Sequence, residues 1–366
     1  MELTNLLQQA VSRKASDVHL QANRRPALRI DGRLERIDAE ILTAEDIERL
    51  AVEMMPEVRA RKFAVTNEAD FGYEVRDLGR FRVNAFRQQG TVALVMRQVR
   101  FEVRSIAELG LPPIVSRIAE ETRGLVMVTG RIGAGKSTTI ASMIDHINET
   151  RDAHILTIED PVEIRHHDKR CIVSQRDVGL DTEGFRPALK RALRQDPDVI
   201  FIGEMRDPET MWAALSAAET GHLVLSTLHT VNATETVSRI LDFFPPEQHL
   251  QVRASLAATL RAIVSQRLLV RASGRGRLPA VEVLVGTGRV FDRILVPDKT
   301  HELGTVIAEG AYYGMQTFDQ SLLQLYRRGD ITRAVALGAA TEPHDLDLAL
   351  KQLEGDRGDA NPALAR

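Results

Sequence analysis

Gly130-Arg131-Ile132-Gly133-Ala134-Gly135-Lys136-Ser137 is the stretch on which the fold of this chain turns. It follows G-x-x-x-x-G-K-[ST], the pattern of a loop that cradles phosphates between a strand and a helix. Glycines let the backbone curl until consecutive N–H groups point inward at an anion. Lys136 would place a positive charge on the β- and γ-phosphates, and the Ser137 hydroxyl would ligate Mg²⁺. The flanks agree with this reading. Leu125-Val126-Met127-Val128 is a short apolar run of the buried-strand kind, and Thr138 to Met143 reads as the start of a helix. The loop predicts binding of ATP or GTP. A glycine-rich turn that happens to precede a helix is the plain alternative, and the strand–loop–helix context argues against it.

Outward from the loop, short apolar strands alternate with helical segments: Leu125–Val128, His154–Ile158, Val199–Ile202 and Leu223–Leu225. This alternation predicts a mostly parallel sheet flanked by helices. Ligands of such sheets sit outside the carboxyl ends of the strands. All four expected strands end in groups suited to a metal-bound triphosphate: the loop itself, then Glu159-Asp160-Pro161-Val162-Glu163, then Glu204, and finally His229, with His222 at the start of the fourth strand. Taken singly, acid clusters are usually solvated loops and lone histidines usually structural. Four coincidences favour one site.

Before the loop the pattern differs. Leu3, Leu6, Leu7, Ala10 and Val11 have helical spacing, and Ala27–Ile30 and Arg33–Ile37 flank an Asp31-Gly32 hairpin turn. Thr43 is placed to cap a helix with apolar positions Ile47, Leu50, Met54 and Val58. Gly79–Phe86 and Val92–Arg97 read as strands. Residues 1–100 are thus expected to form an α+β domain. The charged stretch from Arg97 to Glu108, closed by Leu111-Pro112-Pro113, marks a linker over 101–113, followed by an α/β core over 114–285. Leu303, Val306, Ile307, Leu322, Leu323, Leu325 and Tyr326 suggest a helical subdomain over 286–340. The end, 341–366, rich in Ala, Asp and Gly, reads as a frayed, flexible tail.

Composition narrows the function. With 366 residues, 43% hydrophobic and 27% charged, the chain is long enough for two cores. Lys+Arg 48 against Asp+Glu 51 gives a net charge of −3, and aromatics make up 4%, so a nucleic-acid channel with stacking platforms finds no support. One cysteine, Cys171, excludes an internal disulfide framework and a four-cysteine zinc site. No apolar run approaches a membrane span, and the N-terminus lacks the features of a signal peptide, so a cytoplasmic address is expected.

Longer strings carry a resemblance. Thr157-Ile158-Glu159-Asp160-Pro161-Val162-Glu163 resembles the aspartate box of the secretion ATPase superfamily. Leu193 to Asp198 leading to Gly203-Glu204-Met205-Arg206-Asp207 resembles its Walker B region, and Glu219 to Thr230 its histidine box. Ser16-Asp17-Val18-His19-Leu20 and Gly79 to Asn84 resemble its N-terminal domain, and Gly314 to Gln320 the C-terminal region of its pilus-retraction branch. The likeness runs from about residue 5 to about residue 335.

It implies a RecA-like P-loop ATPase domain, an N-terminal PAS-like α+β domain and a small C-terminal helical subdomain. It further implies a homohexameric motor that hydrolyses ATP with Mg²⁺, docks on the inner-membrane pilus platform protein and retracts type IV pili, with a paralogous retraction ATPase as a further partner. Glu163 would match the catalytic base, Glu204 the Walker B carboxylate at Mg²⁺ beside Ser137, and His229 a sensor of the γ-phosphate. Arg82 and Arg97 would reach a neighbouring subunit's nucleotide. Gly130, Ile132, Gly133, Ala134, Gly135, Lys136, Ser137 and Thr138 would hold the nucleotide, with Glu159, Asp160 and His222 beside them. Pilus-assembly or type II secretion ATPases commonly carry a four-cysteine zinc module and an extra N-terminal domain, so one cysteine and a start about 100 residues before the core favour retraction. DNA-translocating ring ATPases and a non-hydrolysing scaffold are the more distant alternatives. Two stretches depart from the family: Arg131-Ile132 stands where Pro-Thr is usual, and Gly288 to Arg293 lies where the retraction branch carries Ala-Ile-Arg. The latter leaves room for an accessory paralogue.

Overall fold

The computed structural model describes residues 3–30, 33–76, 78–99 and 103–359. The chain divides into two compact units: Met1–Val103 with Ile158–His167 and Gln175–Ala188, and Arg104–Thr157 with Asp168–Ser174 and Leu189–Arg366.

The first unit contains α1 (Leu3–Ser12), β1 (Asp17–Gln21), β2 (Ala27–Ile30), β3 (Arg33–Arg36), α2 (Ala44–Met54), α3 (Glu57–Thr66), β4 (Glu68–Val75), β5 (Gly79–Gln88) and β6 (Thr91–Val99). Its six strands run β3-β2-β1-β6-β5-β4, every neighbouring pair antiparallel. The expected hairpin pairs Ile30 with Arg33, while its Asp31-Gly32 turn lies outside the described residues. Leu6, Leu7, Leu20, Leu28, Ile47, Leu94 and Met96 are fully buried in one core. Thr43 caps α2 in a reciprocal capping box with Asp46, satisfying two orphan amides at once. The expected helix through Val58 is two helices. Pro56 cannot donate an amide and ends the first, leaving Val58 exposed on α3.

Then follow α4 (Ile114–Ala119), β7 (Gly124–Thr129), α5 (Lys136–Thr150), β8 (His154–Glu159), β9 (Ile172–Asp177), α6 (Phe185–Ala192), β10 (Val199–Ile202), α7 (Pro208–Glu219), β11 (Leu223–Leu228), α8 (Ala233–Asp242), α9 (His249–Thr259), β12 (Leu260–Val270), β13 (Arg277–Val285), α10 (Gly288–Leu295), α11 (Leu303–Glu309), α12 (Phe318–Arg327), α13 (Arg333–Gly338) and α14 (Pro343–Asp359). A seven-stranded sheet runs β13-β12-β7-β11-β10-β8-β9, with β7 parallel to both β11 and β12 and β11 parallel to β10. β7 and β11 are buried at every residue, as a sheet covered on both faces requires. This is the expected α/β class, with strands preceding it and helices following.

Three boundaries differ from the sequence reading. The stretch expected as a linker is part of the second unit from Arg104 onward, where Ile106, Leu109 and Leu111 enter its core. The C-terminal helices belong to that same unit. The expected frayed tail is helical over α14, which buries Leu346 and Leu350 against Phe318, Leu322 and Leu325; residues 360–366 lie outside the description.

Candidate functional site

The loop after β7 is shaped for a ligand. Gly130 has φ +146°, and a Cβ there would meet the Gln266 carbonyl oxygen at 2.6 Å and the Ala134 Cβ at 2.9 Å, so no side chain fits. Gly135 has φ +93° at the N-cap of α5, and no side chain caps the helix. The first-turn amides of a fifteen-residue helix are thus open to an anion, where the helix dipole also favours negative charge. Ser137 and Thr138 are exposed at this end. These features fit the phosphates of a nucleotide, and the Ser137 hydroxyl is the oxygen donor a hard cation prefers. Ile132 stands 89% exposed and Arg131 is exposed beside it, so neither contributes a packed wall.

Lys136 is buried, and its Nζ donates to the Gly130 carbonyl at 2.9 Å. It also lies 3.1 Å from His229 Nδ1, whose Nε2 lies 3.2 Å from Glu204 Oε1. An ammonium only donates and a carboxylate only accepts, so the arrangement selects the neutral imidazole with its proton on Nε2. Three strand ends are thereby joined. The ends of β10 and β11 are themselves stapled, because Ser226 Oγ donates to the Ile202 carbonyl and Thr227 Oγ1 to the Gly203 carbonyl, both at 2.7 Å. Glu204 is held from its other side by Arg206 Nε at 2.9 Å, and Asp207 caps α7. His229 remains 44% exposed, accessible to a ligand.

In the first unit, Arg82 on β5 and Arg97 on β6 are direct cross-strand partners. Arg82 Nη1 lies 3.1 Å from Glu163 Oε1, both half-exposed, so two of the expected site residues form an ion pair with each other. The segment bearing Glu163 is pinned by Asp177, whose Oδ2 accepts from the Val162 amide at 3.2 Å and which has Arg59 and Arg80 at 3.6 Å. Burial pushes the Asp177 carboxyl above its ordinary value, against the Val162 hydrogen bond and the two arginines. Glu159 is buried and accepts from Gln175 Nε2 at 3.3 Å, while Asp160, which precedes a cis proline, is exposed.

His222 is not brought to the phosphate loop. It precedes β11, whereas loop and His229 lie at the strands' other ends, roughly 20 Å away at about 3.3 Å per residue. Its Nδ1 lies 3.0 Å from the Ala217 carbonyl, at the end of α7.

The sequence reading missed β12 and its turn into β13. Gln266 is buried, donates to Thr139 Oγ1 at 3.0 Å and lines a cleft of about 350 Å³ with Lys136, Ser137, Thr138, Arg271 and Arg277. Gln266, Arg271 and Arg277 lie more than a hundred positions from the loop, and no local motif announces them; only the parallel pairing of β12 with β7 does.

The family model of the type II/IV secretion system protein matches residues 1–293. A Pseudomonas aeruginosa protein named type IV pilus retraction ATPase PilT is 42% identical over 345 residues, covering 94% of this chain and all of that one. A second protein from the same organism, named type IV pilus ATPase PilU, is 42% identical over 361 residues, covering 99% of this chain and 94% of that one. The crystal structure of the pilus retraction motor PilT with bound ADP superimposes with a TM-score of 0.88 at 43% identity, covering 95% of this chain and 99% of that one.

Proposed function

We propose that this chain, a member of the type II/IV secretion ATPase family, hydrolyses ATP to power retraction of type IV pili. The observation that carries the reading is the Lys136–His229–Glu204 chain of contacts, which ties the phosphate loop to two further strand ends, in a chain with 42% identity to PilT over nearly its whole length. Lys136 neutralises charge on the β- and γ-phosphates, and the open amides of α5 receive phosphate oxygens. Ser137 and Glu204 would hold Mg²⁺, which supplies charge neutralisation when bound. His229, reachable from solvent and hydrogen-bonded to Lys136, is suited to report whether a γ-phosphate is present. Glu163 accepts the proton of the attacking water, and Glu159 and Asp160 stand beside it as further nucleotide-site carboxylates. Arg82 and Arg97 serve the nucleotide of an adjacent subunit in a homohexamer. The ring works at the cytoplasmic side of the inner membrane, docked on the pilus platform protein, alone or with a paralogous ATPase. No helix among the described residues is long and apolar enough to cross a membrane, which agrees with peripheral docking.

Deleting the gene in its host tests the direction of work. The expected outcome is loss of pilus retraction and twitching with excess surface pili. Loss of surface pili would instead assign the chain to assembly.

A further inference from the structure

The first sheet carries charges in a row. Register aligns Arg29 on β2, Asp17 on β1, Arg97 on β6 and Arg82 on β5, and directly paired residues share a face. Like charges directly opposite one another repel, so Arg97 beside Arg82 is an unfavourable pair for an ordinary solvated surface. Asp17 sits within this row and is only 5% exposed. Its Oδ1 accepts from Arg97 Nε at 2.8 Å, its Oδ2 accepts from Ser16 Oγ at 2.7 Å, and Arg29 Nε lies 3.9 Å away. Burial by itself would raise the Asp17 carboxyl, but Ser16 and Arg97 outweigh it and leave the group below its ordinary value. It is therefore ionised at neutral pH.

Arg97 is the opposite case, with a side chain 71% exposed. Its one hydrogen bond among the described residues is made by Nε, the inner nitrogen. The terminal fork, the part of a guanidinium that grips two phosphate oxygens at once, is left to solvent. A buried acceptor thus holds the base of an exposed side chain.

We propose that Asp17 is a positioning residue: it fixes Arg97 through Nε so that the guanidinium fork is presented outward to the phosphates of a nucleotide on a neighbouring subunit. This rests on the reading of Arg97 as an arginine supplied in trans. A purely structural Asp17 would stabilise the sheet whether or not Arg97 were present. A positioning Asp17 acts on turnover only through Arg97.

The test is a double-mutant cycle on the assembled full-length protein, reading kcat, KM for ATP and Tm for Asp17→Ala, Asp17→Asn, Arg97→Ala and the two doubles. Misplacing a catalytic group by about 1 Å can cost on the order of 10²-fold, so Asp17→Ala should lower kcat by up to that factor with KM within about twofold. Asp17→Asn, which keeps an acceptor for Nε, should retain part of the rate. In the Arg97→Ala background neither Asp17 change should lower kcat further. Losses that multiply would overturn the proposal, as would wild-type kcat in Asp17→Ala beside an impaired Arg97→Ala. Should Asp17→Ala fail to assemble, the Asp17→Asn cycle decides by the same criterion. Wild-type kcat in Arg97→Ala would instead remove the trans-arginine reading itself.

Discussion

At the phosphate loop Lys136 is packed among polar partners, whereas Arg82 on β5 and Arg97 on β6 carry their guanidinium groups at the surface. Lys136 is 9% exposed and shares its ammonium between loop carbonyls and His229. Arg97 is 71% exposed and held only at its base, and Arg82 pairs with a half-exposed Glu163. An exposed ion pair is worth about 0–1 kcal/mol, so Arg82 and Glu163 part at little cost when either meets a stronger partner. The first region is a site that largely satisfies itself. The second pairs its arginines through half-exposed or single contacts and leaves the outer part of Arg97 in solvent.

The largest effect should come from the packed region. Lys136→Ala removes the charge on the β- and γ-phosphates, and steady-state phosphate release should fall by on the order of 10³-fold. Wild-type turnover in that variant would erase the contrast, because the packed lysine would then be only structural.

A smaller effect concerns stability. Glu282 on β13 is 8% exposed, and burial pushes its carboxyl up to about 7, against the Ala233 amide that it accepts and the charge of Arg267. The folded chain therefore keeps a proton that the unfolded chain releases near 4.5. Stability should decline as pH rises from about 4.5 to about 7 and stay level above, a loss on the order of 3 kcal/mol. Glu282→Gln keeps an oxygen for Ala233 and removes the titration. Thermal melts should show its Tm above wild type at pH 8, by a few degrees per kcal/mol recovered, and a flattened slope below pH 7. An unchanged slope would mean that Glu282 stays ionised within the packed unit.

The two regions were unequally legible in the sequence. The phosphate loop announces itself because its chemistry needs consecutive residues, and the strand ends carrying Glu204 and His229 follow from the apolar runs before them. β12 gave no signal, since Thr259 passes from helix to strand at Leu260 with neither glycine nor proline between. Gln266 and Arg277 were hidden with it. The tail misled because composition stood in for pattern: Leu346 and Leu350, one helical turn apart, are enough to dock α14. His222 misled because a motif groups neighbours in sequence, while a strand carries its two ends apart. On the first sheet, Arg82 and Arg97 were visible only through resemblance. That Asp17 stands beside Arg97 depends on the register between strands eighty residues apart in the chain.

Mixed assemblies decide whether catalysis is completed across two chains. Glu163→Gln should bind ATP yet hydrolyse about 10²–10⁴-fold more slowly, since a carboxamide cannot take the proton of water. Arg97→Ala should lose about 10³-fold or more. Co-expressed and purified as mixed rings, the two variants create interfaces with an intact Glu163 on one chain and an intact Arg97 on the next. ATP hydrolysis by such mixtures should rise well above that of either variant alone. If the mixtures assemble and bind ATP but remain as slow as their components, Glu163 and Arg97 do not act across the interface between chains.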